Sequence, residues 1–568
     1  MSKKYVIVGG VTGGASAATR IRRLDEDAVI DLYEKNSYVS FSNCALPYYL
    51  GGLVGQKPED LILMTPNDFK TKYNITVNVN SYVTEIEPQT RKVTIKNTQT
   101  GEIKNDTYDD LILAPGANSI KPSSIKGIKS SNVFSVKSID DIRAIHEYLK
   151  NKDVKDIAVV GGGFIGLEVT ENLVKAGKNV SLIEAADHVL ATVDDEFAQI
   201  VQKELYDNKV NVIVRDGVSE IKGDSIVLGS GKTVKADAVI MAIGVAPDTE
   251  LAKKAGCKIG VTGSIKVNSH FETSIPHIYA VGDAIELTSS ITNKSNKLNL
   301  AYPAQMEARK LADGLYGRTV LRSGTIGSQA IHIFNINVAS TGLTEAVCQK
   351  LGIDYRIATV IPKDKVGLMP DAKPIYLKVV FSYPSGNILG AQALGYHDVD
   401  KQIDIIATAM HFRGKVQDLP DLELSYSPWF STAKNAVNMV GLVATNILND
   451  EFKQVEIKDV CALVENKAKI IDARESDEYE EGHIVGAVNI PLSEFRDRLD
   501  EIPTDVPVYI HCLSGQRSYN MVRALQNKGY DNVYNISGSF LELCEYEYFN
   551  DQTTNRKPIV TNYRFDLL

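Results

Sequence analysis

Three observations predict an α/β protein with two doubly wound dinucleotide-binding domains, an α+β module and a further C-terminal α/β domain. Two glycine-rich turns each join an apolar strand to a helix, and each is followed by a second strand that ends in an acid. That is the grammar of a nucleotide-binding βαβ unit. The stretch 325–445 has β-rich and then helical pieces but no opening glycine turn. From about residue 454 a new alternation of helix and strand runs to near 548. The 568 residues suit this plan at roughly 150 residues per domain.

In chain order, Lys4–Val8 is a short apolar strand. Gly9-Gly10-Val11-Thr12-Gly13-Gly14 is the turn, Ala15–Leu24 a helix rich in Ala and Arg, and Val29–Tyr33 a strand ending at Glu34. The pattern returns as strand Asp156–Val160, turn Gly161–Gly166, helix Leu167–Ala176 and strand Val180–Ile183 ending at Glu184. Tyr376–Phe381 reads as a strand, Lys401–Arg413 and Ser431–Leu448 as helices, and Asn449-Asp450-Glu451 as a linker. Asp551–Leu568 is polar and irregular and reads as a tail.

Composition narrows the function. Lys and Arg number 62 against 71 Asp and Glu, a net charge of −9, which disfavours a non-specific nucleic-acid binder. Six cysteines are too few for a disulfide-stapled scaffold. Ala436–Leu448, the longest apolar candidate, is broken by Asn438 and Asn446, so no membrane span is expected. Lys3, Lys4 and Ala15-Ser16-Ala17 imitate a signal peptide, but Tyr5–Val8 is too short for its apolar core. The expected setting is a reducing cytoplasm.

The second turn is a full G-x-G-x-x-G: Gly161, Gly163 and Gly166. Its amides and the helix N-terminus suit a pyrophosphate. Glu184 stands where a carboxylate accepts from a ribose 2′-hydroxyl and repels a 2′-phosphate. No Arg follows in Ala185–Leu190, which favours NADH over NADPH. The first turn departs from the pattern, with Val11 at the middle glycine.

Two later segments support the first turn. Thr273–Ala284 (TSIPHIYAVGDA) places Gly282-Asp283 after an apolar strand, where Asp283 can accept from a flavin's ribityl chain. Leu111–Ala117 (LILAPGA) is a second strand-to-glycine crossover. In this order the four elements resemble the two-dinucleotide flavoprotein disulfide reductase family over roughly 1–445. The resemblance implies FAD at Gly9, Gly10, Thr12, Gly13, Gly14, Glu34, Lys35, Asn43, Cys44, Val83, Ala114, Pro115, Gly116, Gly282, Asp283, Pro303 and Ala304. It implies NAD(P)H at Gly161, Gly163, Phe164, Ile165, Gly166, Glu184 and Gly244. The implied domains are FAD-binding over 1–116 and 246–324, NAD(P)H-binding over 117–245, and dimerisation over 325–448.

Cys44 enters a helix start in Ser40-Phe41-Ser42-Asn43-Cys44-Ala45-Leu46-Pro47-Tyr48-Tyr49, where a helix dipole favours a thiolate. The glutathione-reductase type needs a second cysteine five positions on, and position 49 is Tyr. A lone thiol beside a flavin must take its partner from solution or cycle through a sulfenic acid; the bland alternative is a buried structural cysteine. The segment resembles the coenzyme A-disulfide reductase branch, as do Leu424-Ser425-Tyr426-Ser427-Pro428 and Ala433–Gly441. The branch implies a mixed disulfide with coenzyme A at Cys44, a homodimer, and Tyr426 reaching the partner's cysteine. It also implies coenzyme A contacts at Arg20, Arg23, Ser40 and Asn43, although Arg20, Arg22 and Arg23 are equally a solvated basic face. Gly367-Leu368-Met369-Pro370-Asp371 lacks the branch's second tyrosine, and Tyr302 stands where glycine is usual.

Cys512 follows strand Val508–His511 and opens the loop Cys512-Leu513-Ser514-Gly515-Gln516-Arg517-Ser518. Backbone N–H groups at such a junction stabilise anionic sulfur. The C-x4-R spacing is one residue short of a phosphatase loop and resembles a rhodanese, as do Ile470–Arg474 and Glu481–Ala487. The resemblance implies a persulfide on Cys512, with Arg517 at the substrate, in a rhodanese-like domain over 454–548 before a tail over 549–568. Cys257, Cys348, Cys461 and Cys544 show no metal spacing.

Together these readings give an FAD-dependent, NADH-using reductase of coenzyme A persulfide, polysulfide or coenzyme A disulfide, with sulfane sulfur delivered by Cys512. Coenzyme A is bound ligand or substrate. One alternative is an NADH oxidase or peroxidase cycling Cys44 through a sulfenic acid, whose relatives carry a His where Thr12 stands. The other is a slow-turnover redox-sensing sulfur-relay flavoprotein.

Overall fold

The computed structural model describes residues 2–151, 153–319 and 324–568. The chain divides into two compact units. One comprises Met1–Gly161, Asn172–Val180 and Val218–Thr325; the other comprises Gly162–Glu171, Ser181–Gly217 and Ile326–Leu568.

In the first unit, five parallel strands run in the order Ile278–Ala280, Asp110–Leu113, Lys4–Val8, Val29–Tyr33 and Thr76–Asn78. The central strands are apolar without alternation because both faces are covered, and Tyr5, Val6, Ile7, Leu111 and Ile112 are fully buried. Strand Asp156–Val160 pairs in parallel with Ala238–Met241, which pairs in parallel with Val133–Ser135.

In the second unit, Ser181, Leu182 and Ile183 pair in parallel with Asn211, Val212 and Ile213. A five-stranded antiparallel sheet runs Ser328–Ile333, Ile336–Gly342, Ile388–Gly395, Ile375–Ser382 and Tyr355–Val360. Helices Val399–His411 and Ala436–Leu448 pack on it through Val399, Ile403, Ile406, Val437, Val440 and Ala444. Five short parallel strands follow in the order Lys453–Val455, Val533–Ile536, Val508–His511, Lys469–Asp472 and Val488–Asn489. The polar tail is ordered: helix Ser539–Thr553 runs into it, and beyond the helix the Val485 amide donates to the Ile559 carbonyl at 2.8 Å and the Thr561 amide to that of His483 at 2.9 Å.

Lys378 is fully buried in strand Ile375–Ser382. Its ammonium meets Asp194 at 3.0 Å and also pairs with Glu196 and Glu345. These three carboxylates lie close enough to hold a metal ion, but the ammonium already supplies the positive charge. Among the described residues no helix is long and apolar enough to cross a membrane.

Candidate active site

The first glycine turn is built by close approach. Gly9 has φ +99°, and a Cβ there would lie 2.1 Å from the Ala114 carbonyl oxygen; one on Gly14 would lie 1.8 Å from that of Gly9. The Gly10 amide donates to Glu34 Oε2 at 2.9 Å, while Glu34 Oε1 accepts from the Asn36 amide at 3.0 Å. Helix Thr12–Leu24 has no acid in its first turn, so its own first turn leaves the positive end of the helix uncompensated. Gly13 packs against Ala114 and Val281, which brings the LILAPGA crossover and the Gly282-Asp283 strand end to the same turn.

At that strand end, the Gly282 amide donates to Glu307 Oε2 at 2.8 Å. Burial pushes the Asp283 carboxyl up, against the pull of Lys137 at 3.8 Å. Ala304, buried in the first turn of helix Ala301–Leu315, faces Gly282; Pro303 precedes it, and that turn also lacks acids. Pro115 and Gly116, at φ +72°, continue the crossover. The Ser40 amide donates to the Gly10 carbonyl at 2.9 Å, tying the Cys44 segment to the turn. Asn43 Oδ1 is buried with no hydrogen-bond partner. Acid-free helix starts, glycine approaches and an orphaned buried oxygen fit a dinucleotide cofactor. Val83 lies in the core, and Lys35 is exposed 3.8 Å from Asp248.

The second turn repeats the geometry. Gly161 has φ +109°, with a Cβ position 2.5 Å from the Ala242 carbonyl oxygen. The Gly162 amide donates to Glu184 Oε2 at 2.7 Å, and Glu184 Oε1 accepts from the Ala186 amide at 2.8 Å. A Cβ on Gly163 would meet nothing within 4 Å. The protein atoms around this middle position thus leave room for a side chain; the first turn carries Val11 at the corresponding place. Helix Phe164–Lys175 again lacks an early acid. Phe164 is half-buried, Ile165 exposed and Gly166 buried, and Gly244 has φ +108°.

Sequence reading missed Arg215. Its amide donates to the Ala186 carbonyl at 2.8 Å and its Nε to Asp187 at 3.1 Å, so an exposed guanidinium stands beside the Glu184 loop after all. The signal lay in the strand pairing Ile183 with Ile213, not in the residues that follow Glu184.

Cys44 is the one exposed cysteine of the six, and none forms a disulfide. It sits in a 3₁₀ turn, Asn43–Ala45, leading into a five-residue helix, Leu46–Leu50. The expected helix start is thus short and its dipole limited. Tyr49, in place of a second cysteine, packs its ring 5.8 Å from that of His146. By contrast, burial pushes the Cys348 thiol up to about 11 and Cys544 up to about 12.

The basic residues of the first helix separate by role. Arg20 is held by Asp313 at 2.9 Å. Arg22 is buried and donates to the carbonyls of Tyr73, Asp25, Glu26, Ala28 and Asn74, and Arg23 is exposed. Tyr426 is exposed together with Trp429 and Phe430.

Cys512 is buried at the end of its strand. Its sulfur accepts from the Gly515 amide at 3.2 Å and from the Ser518 hydroxyl at 3.6 Å. The Phe540 amide donates to its carbonyl at 3.1 Å. Behind it lie Asp472, Arg474 and His511, all fully buried, with Arg474 bonding Asp472 at 2.6 Å and the Gly482 carbonyl at 2.6 Å. Burial alone would raise Asp472, but His511 and Arg474 outweigh it and hold the carboxyl below its usual range. Arg517 binds Glu478 through two parallel hydrogen bonds, 2.5 and 2.8 Å.

Residues 3–308 match the pyridine nucleotide-disulphide oxidoreductase family, 328–437 its dimerisation domain and 456–545 the rhodanese-like domain. A coenzyme A disulfide reductase of Staphylococcus haemolyticus is 32% identical over 446 residues, 78% of this chain and all of that one. The solved structure of reduced Bacillus anthracis CoADR-RHD aligns with TM-score 0.93 and 42% identity, covering 96% of this chain and 99% of that chain. An NAD-dependent persulfide reductase from A. fulgidus aligns with TM-score 0.89 and 33% identity, covering 94% and 99%. The chain belongs to the pyridine nucleotide-disulphide oxidoreductases, flavoproteins that work with FAD and NAD(P)H, in the coenzyme A-disulfide reductase branch that carries a fused rhodanese domain.

Proposed function

We propose that this protein uses NADH to reduce coenzyme A persulfide, polysulfide or coenzyme A disulfide at Cys44, with Cys512 collecting sulfane sulfur. The observation that carries the reading is an exposed Cys44 with Tyr49 at the usual place of a second cysteine. Relatives described as a coenzyme A disulfide reductase and an NAD-dependent persulfide reductase support the substrate class.

Gly9, Gly10, Thr12–Gly14, Ala114–Gly116, Gly282 and Asp283 would hold FAD, and Gly161–Gly166 with Glu184 would hold NADH. When bound, the flavin supplies the two electrons that the nicotinamide delivers. The Cys44 thiolate attacks the coenzyme A sulfur of a persulfide; a Cys44–S–S–CoA bond forms and hydrosulfide leaves. Two electrons and one proton then regenerate the thiolate and release coenzyme A thiol. Arg23, Ser40 and Asn43 lie on the elements that would face the coenzyme A portion. Exposed Tyr426, Trp429 and Phe430 form an apolar patch suited to a homodimer interface, from which the Tyr426 phenol would donate to a leaving thiolate. Glu184 favours NADH, and a reducing cytoplasm is the proposed setting.

Steady-state NADH oxidation by the purified protein, compared across coenzyme A persulfide, coenzyme A disulfide, polysulfide, peroxide and oxygen, tests this. The sulfur substrates are expected to lead. Peroxide-dependent turnover without thiols would instead assign Cys44 a sulfenic acid cycle.

A further inference from the structure

We infer that Glu478 sets the donor specificity of the Cys512 loop by neutralising Arg517, so that the loop takes persulfides of low charge and disfavours dianionic donors such as thiosulfate. The inference rests on sulfur transfer at Cys512.

The groups that hold the Cys512 sulfur are neutral: the Gly515 amide at 3.2 Å and the Ser518 hydroxyl at 3.6 Å. Arg517 is the cation of this loop, and both branches of its guanidinium are engaged by the Glu478 carboxylate. The pair is not a loose surface contact, since each side chain retains only about 30% of its exposure. Arg517 also feels a second carboxylate, that of Glu475, besides the Cys512 sulfur. Behind the loop, Arg474 is already matched by Asp472. Little uncompensated positive charge remains to receive a dianion.

The transfer balances with either donor. With a persulfide, the Cys512 thiolate takes the terminal sulfur of R–S–S⁻, the donor S–S bond breaks, and R–S⁻ leaves Cys512–S–S⁻. With thiosulfate the same bond change releases sulfite. Cyanide then removes the outer sulfur as thiocyanate and restores the thiolate.

Thiocyanate formation by the full chain, with thiosulfate or with an uncharged-bodied alkyl persulfide, reads the effect. Glu478→Gln frees Arg517 and is expected to lower the KM for thiosulfate roughly tenfold at nearly constant kcat, an effect that shrinks with salt. The persulfide kcat/KM should change by less than about twofold. Glu478→Asp should keep the parent profile, and adding Arg517→Gln to Glu478→Gln should erase the gain. Equal changes with both donors, an unchanged thiosulfate KM, or a gain that survives loss of Arg517 would overturn the inference while leaving Cys512 chemistry intact. Thiocyanate formation that survives Cys512→Ser would overturn the sulfur-transfer reading itself, and this inference with it.

Discussion

Cys44 and Cys512 are both sulfurs at the entry of a turn, yet their surroundings differ in completeness. Around Cys512 the chain supplies its own hydrogen-bond donors, a helix start and a buried charge network. Around Cys44 it leaves Asn43 Oδ1 unsatisfied and ties the segment to a glycine turn whose helix carries no acid in its first turn. The first arrangement is finished by the polypeptide. The second is shaped to be finished by a bound molecule. The proposed roles follow this difference: a sulfur carrier held by its own chain at Cys512, and at Cys44 a thiol that works with a bound cofactor.

Separating the two sulfurs is the strongest way to probe that contrast. Cys512→Ser is expected to cut thiocyanate formation by about 10³-fold or more, since no other thiol lies in that loop to carry a persulfide. NADH oxidation with small soluble disulfides should continue. A parallel loss of both activities would break the comparison.

Gly9→Ala attacks the other side. A Cβ 2.1 Å from the Ala114 carbonyl oxygen, on a backbone at φ +99°, forces the turn to shift. The Kd for flavin, read from flavin absorbance retained across a dilution series, is expected to rise roughly tenfold, the scale of about 1.4 kcal/mol in binding. Sulfur transfer at Cys512 should persist.

The smallest effect concerns pH. Glu542 lies on the helix whose Phe540 amide supports Cys512, and burial, with Glu196 adding to it, pushes its carboxyl up to about 8 despite Lys378. An unfolded glutamate titrates near 4.5. Between these values the folded chain holds a proton that the unfolded chain has lost, so this group's contribution to stability falls as pH rises from about 4.5 to about 8. Glu542→Gln should flatten that decline in Tm by roughly 2–4 °C, the shift that about 1 kcal/mol produces in a sizeable domain. An unchanged pH slope would contradict it.

What was legible in the sequence was chemistry whose parts are neighbours in the chain: both glycine turns, the acids that close them, Cys44 with Tyr49 five positions on, and the Cys512 loop. Val11 departs from the glycine pattern, and sequence cannot show that the protein leaves room for a side chain at the matching Gly163. What escaped was made by long-range pairing. Arg215 reaches the Glu184 loop through strand register, and Arg517 finds Glu478 across 39 positions. Arg20 is anchored by Asp313, almost 300 residues away in the chain, where the sequence offered only a basic helix face. Lys378 within Ile375–Ser382 interrupts an apolar strand without naming its three carboxylate partners. The tail's docking was hidden because polar composition does not report backbone pairing.

The central claim is that Cys44 is the sulfur that forms a disulfide with the substrate. Protein whose thiols are reduced with dithiothreitol, freed of the reductant with its flavin oxidised and no NADH present, and given one equivalent of coenzyme A disulfide should release one coenzyme A thiol. Peptide mass spectrometry should then find the other coenzyme A on Cys44, in a linkage that dithiothreitol removes. An unmodified Cys44, or coenzyme A carried by another cysteine while the disulfide is consumed, would contradict it.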